Sequence, residues 1–111
     1  MSTVTDEQIQ QLAATAKPFS VVLLSWTAER HMDGADATEL EHQRRVVSLR
    51  ADGMIAILCP VVSETLAGVI IMTVSPEEAR VVMDDDPRVQ AGMMTCEVYS
   101  AAGFPGDALP G

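Results

Sequence analysis

Four runs along the chain are dense in apolar, β-branched residues and too short for helices: Phe19 to Trp26, Met54 to Val62, Gly68 to Val74 and Met93 to Tyr99. Elsewhere apolar residues recur at helical spacing. Asp6 to Thr15 sets Ile9, Leu12, Ala13 and Ala16 along one stripe. Glu39 to Ala51 forms a second helix, stopped near Gly53, and Pro76 to Met83 a third, which buries Ala79, Val82 and Met83 and ends before Pro87. Each start carries a hydroxyl residue followed three places on by Gln or Glu: Thr5 and Gln8, Thr38 and Glu41, Ser75 and Glu78. Such a pair can form a capping box, in which the hydroxyl accepts a first-turn N–H and the longer side chain reaches back. Pro76 strengthens the third, because a proline at the first helical position gives up an N–H that has no partner anyway.

After the N-terminal helix the order is strand, helix, strand, strand, helix, strand. That order predicts an α+β, ferredoxin-like βαββαβ fold, with an antiparallel four-stranded sheet and two helices on one face. Residues 1–16 are then an N-terminal helical extension, 17–102 one ferredoxin-like domain and 103–111 a tail. A sheet covered on one face should alternate apolar and polar residues. Val21-Val22-Leu23-Leu24 and Val69-Ile70-Ile71-Met72 do not alternate, so both faces are expected to be covered. The other side needs the N-terminal helix or a second copy of the chain, and a homodimer packed face to face is the economical answer.

Charge narrows the partners. Seven Lys and Arg against 16 Asp and Glu give a net charge of −9, which repels phosphate backbones and anionic lipid, so neither nucleic acid nor a membrane surface is expected. The N-terminus has no basic start and no apolar run, and no apolar run approaches the roughly 18 residues of a membrane span. Two cysteines, Cys59 and Cys96, fall in the two edge strands of such a sheet and cannot bridge, which points to the reducing cytoplasm.

His42 is the first candidate for chemistry. It shares a helix flank with Val46 and Leu49 and so points toward the sheet, where the plain alternative is a core imidazole held by one bond. Arg50 shares the inward arc with Gln43 and could hold an anionic substrate group, or simply reach to the edge. In the run Asp84-Asp85-Asp86, adjacent carboxylates diverge and make a poor metal site, but Asp86 precedes proline, which holds its backbone extended and fixes where it points. His31 sits in a loop crossing the sheet end. No glycine-rich phosphate loop, paired-cysteine motif or zinc-protease helix is present, so neither a nucleotide cofactor nor a metal is expected.

Together these residues resemble the YCII-related (YciI-like) family of the dimeric α/β-barrel superfamily. His42 stands eleven residues before the glycine of Ala51-Asp52-Gly53. Cys59-Pro60 closes the second strand where the family usually has Gly-Pro. Glu77-Glu78-Ala79 opens the next helix, and Asp86-Pro87 precedes Ala91-Gly92 and the last strand. The match covers about residues 19 to 100, leaving the N-terminal helix outside the family core. The resemblance implies a homodimer with a cleft between helices and sheet, and a histidine–aspartate catalytic pair that matches His42 and Asp86. Superfamily members isomerise lactones, or eliminate from or oxygenate small aromatic compounds, often without a cofactor. The expected activity is therefore proton transfer, in an isomerisation or elimination, on a small cyclic or aromatic ligand. His42 would act as base or acid, Asp86 would orient it and Arg50 would neutralise an anionic oxygen. The alternative is a non-catalytic dimeric ligand-binding or accessory module. A monooxygenase is a third possibility, for which only Trp26 and Tyr99 offer ring-stacking surfaces.

Overall fold

The computed structural model describes residues 2–111. Eight elements follow one another: α1 (Asp6–Ala13), β1 (Lys17–Trp26), α2 (Ala35–Ala51), β2 (Ile55–Pro60), β3 (Leu66–Met72), α3 (Pro76–Asp84), α4 (Pro87–Gln90) and β4 (Met94–Gly103). The four strands form one antiparallel sheet in the order β2-β3-β1-β4, with β1 and β3 central. This is the ferredoxin-like α+β arrangement expected. Among the described residues no helix is long and apolar enough to cross a membrane.

Local chemistry explains most boundaries. Thr5 and Gln8 close a full capping box at α1, and the Ser75 hydroxyl accepts the Glu78 N–H ahead of Pro76 at α3. At α2 the expected Thr38 cap is not used. The helix begins four residues earlier, after Gly34, and the Thr38 N–H is already bonded to the Gly34 carbonyl. Glu41 lies beside Arg44 instead of reaching back. Gly53, at φ +80°, ends the helix in the left-handed conformation that glycine adopts without steric cost. β4 runs four residues past Tyr99, because β1 starts at Lys17 and offers a pairing edge. Gly103 faces Lys17, and a Cβ there would come within 3.0 Å of the Phe19 ring.

α2 packs over β2, α3 over β1 and β4, and the short α4 against β4 and α2. Beneath them Val22, Leu24, Ile55, Ile70, Met72, Ala79, Met83 and Met94 form a buried core. On the opposite face Val21, Leu23, Val69 and Ile71 are only half-buried, with no helix of the described residues packed over them. α1 does not cover that face, since none of its residues is buried.

Bulges shape the sheet beneath α2. The β1–β3 register shifts between Leu24 and Ser25, giving β3 one extra residue at Ala67, and β2 gains one at Ala56. At the first bulge Gly68 passes so close to β2 that a Cβ would sit 3.2 Å from the Cys59 carbonyl oxygen. Gly68 also lines a cleft between α2 and the sheet.

Candidate active site

Among the described residues only four polar or charged side chains are buried: Ser20, His42, Asp86 and Arg88. Ser20 donates to the Val74 carbonyl at 2.7 Å. The other three meet at one end of the sheet.

The helical period carries His42 and Val46 inward on the same face of α2. Asp86 arrives from the other side. Pro87 holds it extended (φ −68°, ψ 136°), which makes it the N-cap of α4, its Oδ1 accepting the Arg88 backbone N–H at 2.9 Å. Asp84 and Asp85, its neighbours in the acidic run, are exposed. His42 Nδ1 lies 2.8 Å from both Asp86 oxygens. Arg45, from the next turn of α2, brings Nη1 to 3.8 Å from Asp86 Oδ2 and donates from Nη2 to the Val82 carbonyl. A carboxylate accepts, so in the neutral imidazole this contact places the proton on Nδ1 and leaves the lone pair on Nε2.

His42 lines a cleft of about 280 Å³ with apolar walls from Leu24, Val46, Leu58 and Ile70. Its polar lining comes from Glu39, Gln43 and Arg88, and Cys59 and Pro60 close its rim. That volume falls just short of the usual range for small-molecule pockets, about 300–1,000 Å³. Nε2 makes no hydrogen bond among the described residues. A basic nitrogen held by a buried carboxylate and turned to an apolar cleft can take a proton from a ligand and return it.

Arg50 does not join this group. It is exposed and lines a separate depression with Ile57, Leu58 and Asp107. Eight residues beyond His42, it lies roughly 80° around the helix and about 12 Å along its axis, too far for the two to share a ligand atom. The cations at the site are Arg45 and Arg88. Arg88 forms an ion pair with Glu39, and its guanidinium lies 4.6 Å from the centre of the Trp26 ring. Burial, and then the nearby Arg30, push Arg88 down to about 10, so it remains a cation at neutral pH. Arg45 and Glu39 lie three places either side of His42 on α2, a spacing that could have flagged them. Arg88 has only the signal of following Asp86-Pro87. His31 is exposed and lies away from His42, beside Trp26. Cys96 is half-buried, and burial first, with Asp84 next, pushes its thiol up to about 11. No three His, Cys, Asp or Glu side chains gather as metal ligands among the described residues.

No family model and no curated protein matches the chain. Among solved structures, it is similar to 5-chloro-2-hydroxyhydroquinone dehydrochlorinase from Burkholderia phenoliruptrix, determined in complex with 2,5-dihydroxybenzoquinone. The TM-score is 0.58 at 18% identity, over 73% of this chain and 90% of that one. The likeness bears on the fold alone.

Proposed function

We propose that the chain is a YCII-related homodimeric enzyme of the cytoplasm that moves a proton on a small cyclic or aromatic compound, in an isomerisation or an elimination. The observation that carries this is the Nδ1 contact of His42 to both oxygens of the buried Asp86, with Nε2 turned to an apolar cleft. Nε2 takes a proton from ligand carbon or hydroxyl, and Asp86 stabilises the imidazolium that forms. Return of the proton at another atom completes an isomerisation, while departure of a leaving group completes an elimination. The ring-shaped substrate class gains support from the neighbour of the same fold, whose name and bound compound are those of a hydroquinone enzyme. The homodimer is supported by the half-buried aliphatic face of the sheet, and the cytoplasm by two unpaired cysteines.

Nitrogen-15 NMR of the His42 ring tests the proposal, with resorcinol as a ring-shaped probe and Asp86→Asn as control. The wild type should show the Nδ1–H tautomer, and resorcinol should move the Nε2 resonance. In Asp86→Asn the tautomer preference should be lost. An Nε2–H tautomer, or a ring indifferent to resorcinol, overturns proton transfer and leaves the pair as a tie between helix and α4. In that case His42→Gln should do no more than lower stability by about 1–3 kcal/mol, through the unpaired carboxylate.

A further inference from the structure

A second cavity, of about 220 Å³, adjoins the cleft and shares two of its wall residues, Glu39 and Arg88. Their ion pair is the partition between the two spaces. On the far side stand Trp26, Arg30, His31 and Asp36. The arrangement is electrostatically odd. Arg30 and Arg88 place their guanidinium carbons 4.2 and 4.6 Å from the centre of one indole ring, so two cations crowd a single aromatic surface. Glu39 answers Arg88, but Arg30 has no carboxylate partner among the described residues and reaches only the Ser63 carbonyl, at 3.4 Å.

The donors are also unfilled. Arg88 is 7% exposed, yet its Nε–H is buried without a partner, and so is the indole N–H of Trp26. Buried donors are almost always satisfied, and when they are not, a missing ligand is one of the ordinary reasons. A planar anion with two oxygens matches a guanidinium fork better than any other small group. Glu39 takes one nitrogen of that guanidinium, Nη2. Its side chain keeps about a third of its surface in solvent (32%) and can turn outward. His31, exposed at the mouth, adds a further donor, whereas Asp36 opposes an anion there.

We propose that this second cavity is a carboxylate subsite: Arg88, Arg30 and the Trp26 indole N–H take the carboxylate of a ring-bearing ligand whose ring lies toward His42, and Glu39 is the gate that the carboxylate displaces. The inference rests on the cleft being a ligand site and names the substrate class of that site as anionic. Glu39 is one helical turn from His42, so an acid group and a reacting ring atom can be held together.

Trp26 is the only tryptophan in the chain, so its single indole N–H resonance reports on the cavity directly. The experiment is titration of the full-length protein with benzoate, and with neutral benzamide, followed at that resonance. Benzoate should shift it downfield and saturably, and benzamide should not. Glu39→Gln should bind benzoate several-fold more tightly, because the competing carboxylate is gone, while Glu7→Gln on the distant α1 should change nothing. Arg30→Gln, which removes only a partly exposed side chain, should bind about ten-fold more weakly, as loss of a charge-assisted hydrogen bond predicts. An unmoved indole, an equal response to benzamide, or unchanged affinity in Arg30→Gln overturns the subsite. The two proposals fail separately: resorcinol without benzoate removes the subsite alone, and benzoate without resorcinol removes the proton transfer alone.

Discussion

The two faces of the sheet are built from the same kind of residue and have different fates. On one, Val22, Leu24, Ile70 and Met72 are at most 2% exposed beneath the helices, and the His42–Asp86 pair sits at the edge of that packing. On the other, Val21, Leu23, Val69 and Ile71 pair across β1 and β3 in the same way and remain half-buried. Tyr99 continues the patch from β4 opposite Val21, and Ile57 extends it from β2 opposite Ile71. Residue type therefore does not separate the faces; cover does. The first face holds the single chain together and carries the His42–Asp86 pair. The second has aliphatic surface to bury and no helix of the described residues over it; only Ile57, at its margin, lies beside Asp107, Ala108 and Leu109 of the tail.

The largest effect should come from the covered side. Asp86→Ala removes the acceptor of His42, the cap of α4 and the counter-charge of Arg45 together. Loss of one partner from a buried charged cluster costs about 3–5 kcal/mol, so urea unfolding should show the midpoint falling sharply. A loss under about 1 kcal/mol would mean that the carboxylate is less tightly held than its contacts imply.

Neighbouring residues of β3 sharpen the contrast. Ile70→Ala empties part of the core and should cost about 2–5 kcal/mol at any protein concentration. Ile71→Ala, one residue on and facing the other way, should cost well under that in dilute solution. Its cost should grow with concentration if the proposed homodimer buries it. Ile71→Asp should then leave a folded monomer by sedimentation equilibrium. Should the wild type sediment as a monomer throughout, the face-to-face homodimer is wrong.

How much of this was legible in the sequence depended on whether a signal was local. The unbroken aliphatic runs gave the central strands, Ser75-Pro76 gave the start of α3, and Gly53 the end of α2. His42 and Asp86 stood out because each has its direction set nearby, by the helical period and by Pro87. Their meeting across 44 residues came only through the family resemblance. The cations were misjudged for a physical reason. Arg45 and Arg88 look like solvated charges in any sequence window. Arg88 lies on α4, only four residues long and too short to show a period, and is buried beside Trp26, Glu39 and Met94. Arg50 looked inward because its angle on the helix is close to Gln43's, but it lies more than two turns beyond His42. Thr38 lost its cap role to a helix already begun at Gly34, and the end of β4 was hidden because Ala102-Gly103 reads as turn.

A smaller effect should appear at high pH on the covered side of β4. Cys96 packs against the core, and its thiol is pushed up to about 11 from 9.0 by burial first. A raised value in the folded state means that folding favours the neutral thiol. That contribution is complete below about 9 and is lost as pH rises through about 11. The urea midpoint should therefore decline across that window more steeply in the wild type than in Cys96→Ala. Parallel curves would show that Cys96 ionises as freely folded as unfolded.

The smallest effect on the single chain should come from removing α1. Its cap is complete, yet no residue of it is buried, and Val4, Ile9 and Leu12 are 60, 55 and 51% exposed. Eight residues cannot hold a helix in water by propensity alone, so a stripe of apolar side chains on so short a segment gains stability only by packing on something. Deleting residues 2–15 should change the unfolding free energy of dilute protein by under about 0.5 kcal/mol, as expected for surface removed without buried contacts. Sedimentation equilibrium on the same variant then decides where the stripe belongs. If the dimer weakens, α1 is part of the cover that the open face lacks, and the two faces differ only in whose residues cover them. If the dimer is unchanged, α1 stands outside the interface, and the sheets of two copies suffice to close each other.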